Sequence, residues 1–111
     1  MSSLKNIQKL DLSFNNIKKL PAGGVFSELV SLRILYLHEN LIQQWSDLAG
    51  LAALPGLYHL SLNKNPIANA AGYRHYMVNS IKTLKALDDF VVTDEERLVD
   101  SAQSTRFRAL S

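Results

Sequence analysis

The sequence contains no cysteine, and its 111 residues include only three prolines and one tryptophan. Without cysteine the chain can form neither a disulfide nor a cysteine-ligated metal site. The formal net charge is only +2, and basic and acidic residues are interspersed without a block of like charge, which does not favour a polyanionic partner. The start of the chain has no apolar core of signal-peptide length, and no stretch is long enough to span a membrane. We therefore expect a soluble, intracellular, cytoplasmic protein with one small domain.

One phrase of sequence recurs three times at a spacing of 25 residues. It reads apolar-x-x-Leu-x-Leu-x-x-Asn-x-Ile, and its asparagines are Asn15, Asn40 and Asn65. A fixed period of roughly 20–29 residues with this pattern is typical of leucine-rich repeats. Each phrase predicts a short strand whose leucines point inward, and neighbouring units must stack to bury them. The asparagines are predicted to be structural, because an amide can donate to and accept from backbone groups where the chain bends.

The segments between the phrases are predicted to form short helices on the convex side. Ser46 is predicted to cap the second of these helices, and Trp45 to fill a core position. The apolar residues assigned to their inner faces are Val25, Phe26, Leu29, Val30, Leu48, Leu51 and Leu54.

The pattern changes after Asn65. Residues 72–78 lead to Ile81, Leu84 and Leu87, apolar positions three apart, which predict either a helix of roughly two to three turns or a helix and a short last strand near Leu87. Such a segment can cover the open core of a final repeat. Thr93 and Glu96 have the spacing of a capping box and predict the start of another helix. The predicted organisation is three repeats over 1–70, a cap with a last short strand over 71–92, and a C-terminal helix over 93–111.

The repeated LxLxxNxI phrases followed by YRHYMVNSIKTLKALDD resemble leucine-rich repeat proteins that end in an LRRcap motif. LYLHEN, GYRHYMVNSIKTLKALD and VVTDEE are more narrowly similar to the repeat region of leucine-rich repeat and IQ domain-containing proteins, although no IQ motif is present here. The resemblance implies an α/β solenoid, a right-handed β-α superhelix with a short parallel concave sheet and a C-terminal helical cap. It also implies structural roles for Tyr73 and Arg74 in the cap and for Leu84, Leu87 and Asp88 in its closing strand.

Alignment by the asparagines predicts columns of outward-facing strand residues. These columns are Lys9, Ile34, His59 and Ala86, then Asp11, Tyr36, Ser61 and Asp88, then Ser13, His38 and Asn63. The spacing of strands keeps His38 too far from His59 to share a zinc ion, and Asp11 too far from Ser61 and His59 to complete a triad. Asp88 and Asp89 would point to opposite faces of an extended chain. We therefore predict no catalytic residue, no metal, no cofactor and no enzyme.

The favoured function is a non-enzymatic protein-interaction module or scaffold that presents the concave face to a protein partner. The predicted partner-binding residues are Lys9, Asp11, Ser13, Arg33, Ile34, Tyr36, His38, Glu39, Tyr58, His59, Ser61, Asn63 and Lys64.

Two alternatives remain open. The chain can be a structural or assembly fragment of a larger leucine-rich repeat protein, for which the resemblance also admits a cilium or flagellum. In that case the first repeat either stacks under further repeats or pairs through its free N-terminal edge. A nucleic-acid-associated adaptor is less favoured, because Asp11, Glu39 and Asp88 interrupt the basic residues.

Overall fold

A computed structural model describes residues 5–20, 26, 28–94 and 96, and these residues build one five-stranded sheet. The first four strands are parallel and follow one another in chain order, whereas the fifth returns antiparallel to the fourth. The strands are β1 Lys9–Asp11, β2 Ile34–Tyr36, β3 His59–Ser61, β4 Ala86–Leu87 and β5 Phe90–Val91. A row of short parallel strands, each one repeat after the last, confirms the predicted α/β solenoid.

The strand register is the one that the asparagine spacing predicts. Lys9 lies opposite Ile34, Ile34 opposite His59, and His59 opposite Ala86. The next position of each strand holds a leucine, so the inward side chains stack in a row through the core. Because side chains alternate along a strand, the residues on either side of these leucines face away from the core.

The core is covered unequally along the solenoid. The three apolar phrase positions before the final isoleucine are fully buried in the second and third repeats, where Leu35 and Leu60 have 0% exposure. The equivalent residues of the first repeat, Leu10 and Leu12 among them, are only partly buried. Within the described part of the chain, the first repeat is therefore the less protected end of the core.

The convex connections correct two predictions. Leu29 donates to the Phe26 carbonyl and Leu32 to the Leu29 carbonyl, so this segment turns with three-residue periodicity. Phe26, Leu29 and Leu32 then share the buried side, while Val30 is rotated away and is 45% exposed. Its predicted place on the inner face was wrong. Val25 lies outside the described residues.

The second convex connection is a 3₁₀ helix over Trp45–Ala53, and its predicted cap was also wrong. Ser46 lies inside the helix, and the Gln44 amide instead donates to the Asp47 carboxylate at 3.2 Å. Trp45 is partly buried and packs against the core. A second 3₁₀ helix covers Pro66–Asn69.

The C-terminal part contains helix α1, Tyr73–Ser80, which follows Gly72 in a left-handed conformation with φ of 77°. Asp88 and Asp89 also have positive φ, 53° and 69°, and they form the two-residue turn between β4 and β5. The predicted places of Leu84 and Asp88 in the closing strand were therefore wrong, because β4 covers only Ala86–Leu87, and the predicted extended Asp88–Asp89 pair was wrong as well. A tight hairpin requires positive φ at its central residues to match strand twist, and aspartate tolerates that conformation.

Of the predicted C-terminal helix, only residues 93, 94 and 96 fall among the described residues. The Glu96 amide donates to the Thr93 hydroxyl at 2.9 Å, and the Thr93 amide donates to the Glu96 carboxylate at 3.4 Å. These are the two hydrogen bonds of a capping box. None of the helices in the described ranges has the length and hydrophobicity needed to cross a membrane.

Candidate functional site

Two buried asparagines join successive repeats. The Asn65 side-chain oxygen accepts the Ile42 amide at 3.1 Å, and its nitrogen donates to the Leu37 and Leu62 carbonyls, both at 2.9 Å. Asn40 repeats this arrangement one unit earlier, where it accepts from Ile17 at 3.1 Å. The side-chain amides of Asn40 and Asn65 therefore each connect their own repeat to the preceding one, and together they hold the strands in register.

Asn15 occupies the same position in the first repeat but a different environment. It is exposed, and its side-chain nitrogen donates to the Leu12 and Ser13 carbonyls of its own repeat. No bond from Asn15 to another repeat occurs among the described residues. The three asparagines are thus equivalent in sequence but not in the number of units they join.

The cap closes the sheet with a carboxylate. One oxygen of Asp88 accepts the amides of Leu62 and Asn63 at 2.6 and 2.9 Å, and the other accepts the Tyr73 hydroxyl at 2.7 Å. In the two preceding repeats the equivalents of the Leu62 amide donate to the next strand's carbonyls. The Asp88 carboxylate thus takes the place of the carbonyl that a longer β4 would offer at this position, and the hairpin turn places it there.

Arg74 fastens the cap from its other side. Its guanidinium donates to the carbonyls of Leu87, Phe90 and Val91 at 3.2, 3.4 and 3.0 Å. It also forms an ion pair with the Glu96 carboxylate. One side chain therefore ties helix α1 to the β4–β5 hairpin and to the capping box.

The Tyr73 hydroxyl gives the cap a measurable pH dependence. Burial and the Asp88 carboxylate raise the pKa of Tyr73 well above its ordinary value of 10.0. At a pH above 10.0, the ordinary pKa of tyrosine, the unfolded chain loses a proton that the folded chain keeps. The free energy of unfolding therefore falls as the pH rises, by about 1.4 kcal/mol per pH unit. We expect urea unfolding of the native chain to show about 1.4 kcal/mol more loss between about pH 9 and pH 11 than that of Tyr73→Phe. Equal losses in the two proteins would contradict the assigned environment.

The outward strand residues form a surface whose centre is aromatic. The rings of Phe14, His38, Tyr36 and His59 follow one another edge to face, with centroid separations of 5.4, 5.8 and 5.6 Å. The Lys9 ammonium lies 5.1 Å from the Tyr36 ring centroid. We call these four rings the aromatic row. It crosses the first three repeats and places rigid, partly apolar area at the middle of the concave face.

Ser61 does not belong to the accessible part of this face. It is only 4% exposed, and its hydroxyl hydrogen-bonds His38 Nδ1 at 2.7 Å and accepts the Leu37 amide at 3.3 Å. Its predicted place on the accessible concave surface was therefore wrong, because His38 covers it. The hydrogen bond fixes the His38 ring and supports the aromatic row from below.

Polar residues flank the row at both ends. Asp11 accepts hydrogen bonds from the hydroxyl and amide of Ser13, and these bonds lower the pKa of its carboxyl group below the ordinary value of 3.8. At the other end, His59 Nε2 lies 3.8 Å from the Asp89 carboxylate, beyond hydrogen-bonding distance. That nitrogen is buried and has no hydrogen-bond partner among the described residues.

The remaining predicted binding residues lie around the concave face in different environments. Lys9, Arg33, Tyr58 and Lys64 are exposed, whereas Ser13, Ile34, Glu39 and Asn63 are half-buried. The Arg33 guanidinium folds back and donates to the Val30 and Leu32 carbonyls, each at 3.3 Å. Arg33 therefore contributes to local structure as well as to the surface.

Phe14 is the residue that sequence reasoning missed. It is 73% exposed and has φ of 58°, a conformation that is costly for a bulky side chain. Glu39 and Lys64, at the same position of the next repeats, have φ of 61° and 66°. The repeat thus imposes a left-handed turn before each asparagine, and in the first repeat this turn presents an aromatic ring to solvent beside His38. The only available signal was the position itself, one residue before Asn15.

The concave face offers contact area and hydrogen-bonding groups. Across residues 5–20, 26, 28–94 and 96, no group of three or more histidine, aspartate or glutamate side chains could hold a metal ion. His38 contacts Ser61, but the hydrogen-bond partner of Asp11 is Ser13.

Comparisons with known proteins agree with this geometry. A family model described as leucine-rich repeat matches residues 1–109. Leucine-rich repeat and IQ domain-containing protein 3 of Mus musculus is 39% identical over 111 residues, which are all of this chain and 18% of that protein. Leucine-rich repeat-containing protein 51 of Bos taurus is 37% identical over 93 residues, 84% of this chain and 47% of that protein. The chain thus spans less than half the length of these relatives.

Solved structures show the same architecture. The leucine-rich repeat domain of Mex67 from Chaetomium thermophilum superposes with a TM-score of 0.70 at 27% identity, covering 86% of this chain and 67% of that one. A chain of the Drosophila melanogaster SNF/U2A′ complex gives a TM-score of 0.83 at 24% identity, covering 95% of this chain and 63% of that one, and supports the fold alone. Since the family model matches nearly the whole sequence and the predicted resemblance is confirmed, the chain belongs to the leucine-rich repeat family.

Proposed function

We propose that the chain is a non-enzymatic protein-interaction module that binds a protein partner on its concave face. The observation that carries the proposal is the aromatic row, which is packed edge to face and held in place by the Ser61 hydrogen bond. Rigid aromatic side chains supply contact area at a small entropic cost, and tyrosine is enriched among interface hot spots. In this proposal residues 1–70 supply the face and residues 71–92 close the core beside it.

Related proteins support a protein partner of this kind. The Drosophila structure is of a complex of SNF with U2A′, and another structure of similar fold is of Mex67:Mtr2 subunits from Chaetomium. Proteins with this fold therefore occur in protein complexes. The relatives are also longer than this chain, so its face can serve as one module of a larger scaffold or assembly.

Tyr36→Ala tests the proposal because it removes the ring at the centre of the aromatic row. We expect it to reduce partner capture about tenfold or more, as truncation of an interface hot spot does. Capture from an extract of cells that express the protein is quantified by mass spectrometry, with native chain and variant compared side by side. Circular dichroism of both proteins checks that the fold is retained.

Tyr76→Ala is the matched control. Tyr76 is a 41% exposed tyrosine on α1 whose ring packs against Trp45, with centroids 4.3 Å apart, away from the concave strands. Its loss removes a ring of the same size from a different surface, so capture is expected to stay within about twofold. Equal capture by the native chain and Tyr36→Ala, or a larger loss in Tyr76→Ala, would contradict the proposed face.

A further inference from the structure

The residue that precedes each parallel strand belongs to one row at the edge of the concave face. The Arg33 amide donates to the Gln8 carbonyl at 2.8 Å, Tyr58 to Arg33 at 2.9 Å, and Lys85 to Tyr58 at 2.7 Å. These four residues are therefore consecutive rungs, and all four are exposed. We call Gln8, Arg33, Tyr58 and Lys85 the leading rim. It contains two cations and no acidic residue.

The opposite edge of the face has a different charge. The residues with left-handed backbone after the first three strands are Phe14, Glu39 and Lys64, and the turn after β4 holds Asp88 and Asp89. Acidic groups are thus concentrated at this edge and are absent from the leading rim. The concave face is therefore electrostatically polarised across its strands, although the whole chain is nearly neutral.

Arg33 is held in position on the leading rim. One terminal nitrogen of its guanidinium donates to two backbone carbonyls, and the group lies against Gly56. A Cβ atom at position 56 would approach that nitrogen to 2.0 Å, so glycine is what makes this placement possible. No carboxylate of the described residues forms an ion pair with Arg33. Its other N–H groups are available to an incoming anion from a cation that is already oriented.

We propose that the leading rim binds an acidic segment of the protein partner, with Arg33 as its principal anion-binding group. This inference rests on the proposed concave binding face and assigns the chemistry of the partner there. Charge complementarity carries it, because a carboxylate accepts paired hydrogen bonds from a guanidinium. Arg33 and Lys85 are two rungs apart, roughly 10 Å, so they can contact separate carboxylates. The acidic side of the partner would face this rim while its apolar side crosses the aromatic row.

The test uses fluorescence anisotropy with a labelled peptide of alternating glutamate and serine, and a matched peptide in which every glutamate is glutamine. We expect the full chain at low salt to bind the glutamate peptide about tenfold more tightly. Arg33→Gln is expected to weaken that binding about fivefold or more, since it removes the charged donor. Gly56→Ala keeps every charge but displaces the guanidinium, and a loss of about threefold or more is expected. Lys18→Gln, an exposed lysine beyond the Asn15 turn, removes the same charge elsewhere and should change binding by less than about twofold.

Three outcomes of the peptide experiment would overturn the inference. Equal binding of the two peptides would remove the acidic preference, and equal losses in Lys18→Gln and Arg33→Gln would show only diffuse attraction. Tighter binding of a single-stranded oligonucleotide of the same charge would assign the rim to nucleic acid instead. If the peptide experiment fails but Tyr36→Ala still reduces partner capture, only the role of the leading rim is contradicted, and the proposed concave binding face stands. If the peptide still binds but Tyr36→Ala does not change partner capture, the proposed concave binding face is contradicted. The assignment of an acidic partner to that face is then contradicted as well.

Discussion

Asp88→Ala is expected to lower the free energy of unfolding by about 3–5 kcal/mol, because three hydrogen bonds to one carboxylate are lost together. The Leu62 and Asn63 amides would face the end of the third repeat without an acceptor, and the Tyr73 hydroxyl would lose its partner. Asp88→Asn keeps one oxygen for the two amides and should cost less, about 1–3 kcal/mol. Urea unfolding at neutral pH, followed by circular dichroism, measures both changes.

Asp89→Asn is the matched control for this series. Its side chain is 88% exposed, it lies next to Asp88 in the same turn, and asparagine tolerates the left-handed backbone equally well. We expect a change of less than about 0.5 kcal/mol. If the two asparagine variants were equally stable, the carboxylate of Asp88 would not be the group that closes the sheet.

Asn65→Ala is the second large effect, with an expected loss of about 2–4 kcal/mol. The Ile42 amide would lose its acceptor in the buried core, whereas the Leu37 and Leu62 carbonyls each keep another donor. The cost is therefore dominated by one unsatisfied amide and by the cavity left behind, not by the number of bonds in the native structure. Urea unfolding of the purified variant measures it.

Asn15→Ala tests whether an asparagine at this position of the repeat stabilises the fold even when it is exposed. Asn15 is exposed and bonds only within its own repeat, so its replacement should cost about 1 kcal/mol or less. Asn40→Ala should resemble Asn65→Ala, because Asn40 is 3% exposed and also accepts an amide from the preceding repeat. If Asn15→Ala and Asn65→Ala lowered the free energy of unfolding equally, the asparagines would not stabilise the fold by joining repeats.

The repeat itself could be predicted from sequence because its signals are periodic and strong. Leucines at fixed spacing determine which strand positions face the core, and that spacing predicted the register of Lys9, Ile34 and His59. The columns of the concave face followed directly. A helix after Asn65 was predicted, but the apolar positions used for it, Ile81, Leu84 and Leu87, lie beyond the observed helix, which ends at Ser80.

The parts that were missed depend on backbone conformations for which these residues give no local signal. Phe14, Glu39 and Lys64 share a left-handed turn, but none is a residue type that favours it. The hairpin after β4 has Asp88 and Asp89 in place of the usual glycine-containing pair, so its turn was interpreted as continued strand.

Two features of the face depend on distances between repeats, which sequence spacing does not give. Ser61 is buried because His38 of the preceding repeat leans over it and forms a hydrogen bond with its hydroxyl. Arg33 folds onto Gly56 of the following repeat, a contact that leaves no trace in the repeat pattern. The columns of strand residues could therefore be predicted from the sequence, but the contacts of their side chains could not.

The measurement that tests the concave binding face most directly is photo-cross-linking from defined positions. A photoreactive phenylalanine analogue replaces Tyr36 in one protein and Tyr76 in another, and both are illuminated in cells that express the chain. If the aromatic row binds the partner, the analogue at position 36 will form a discrete cross-linked protein adduct, and the analogue at position 76 will not. A discrete adduct from position 76 with none from position 36 would contradict the concave face as the binding surface.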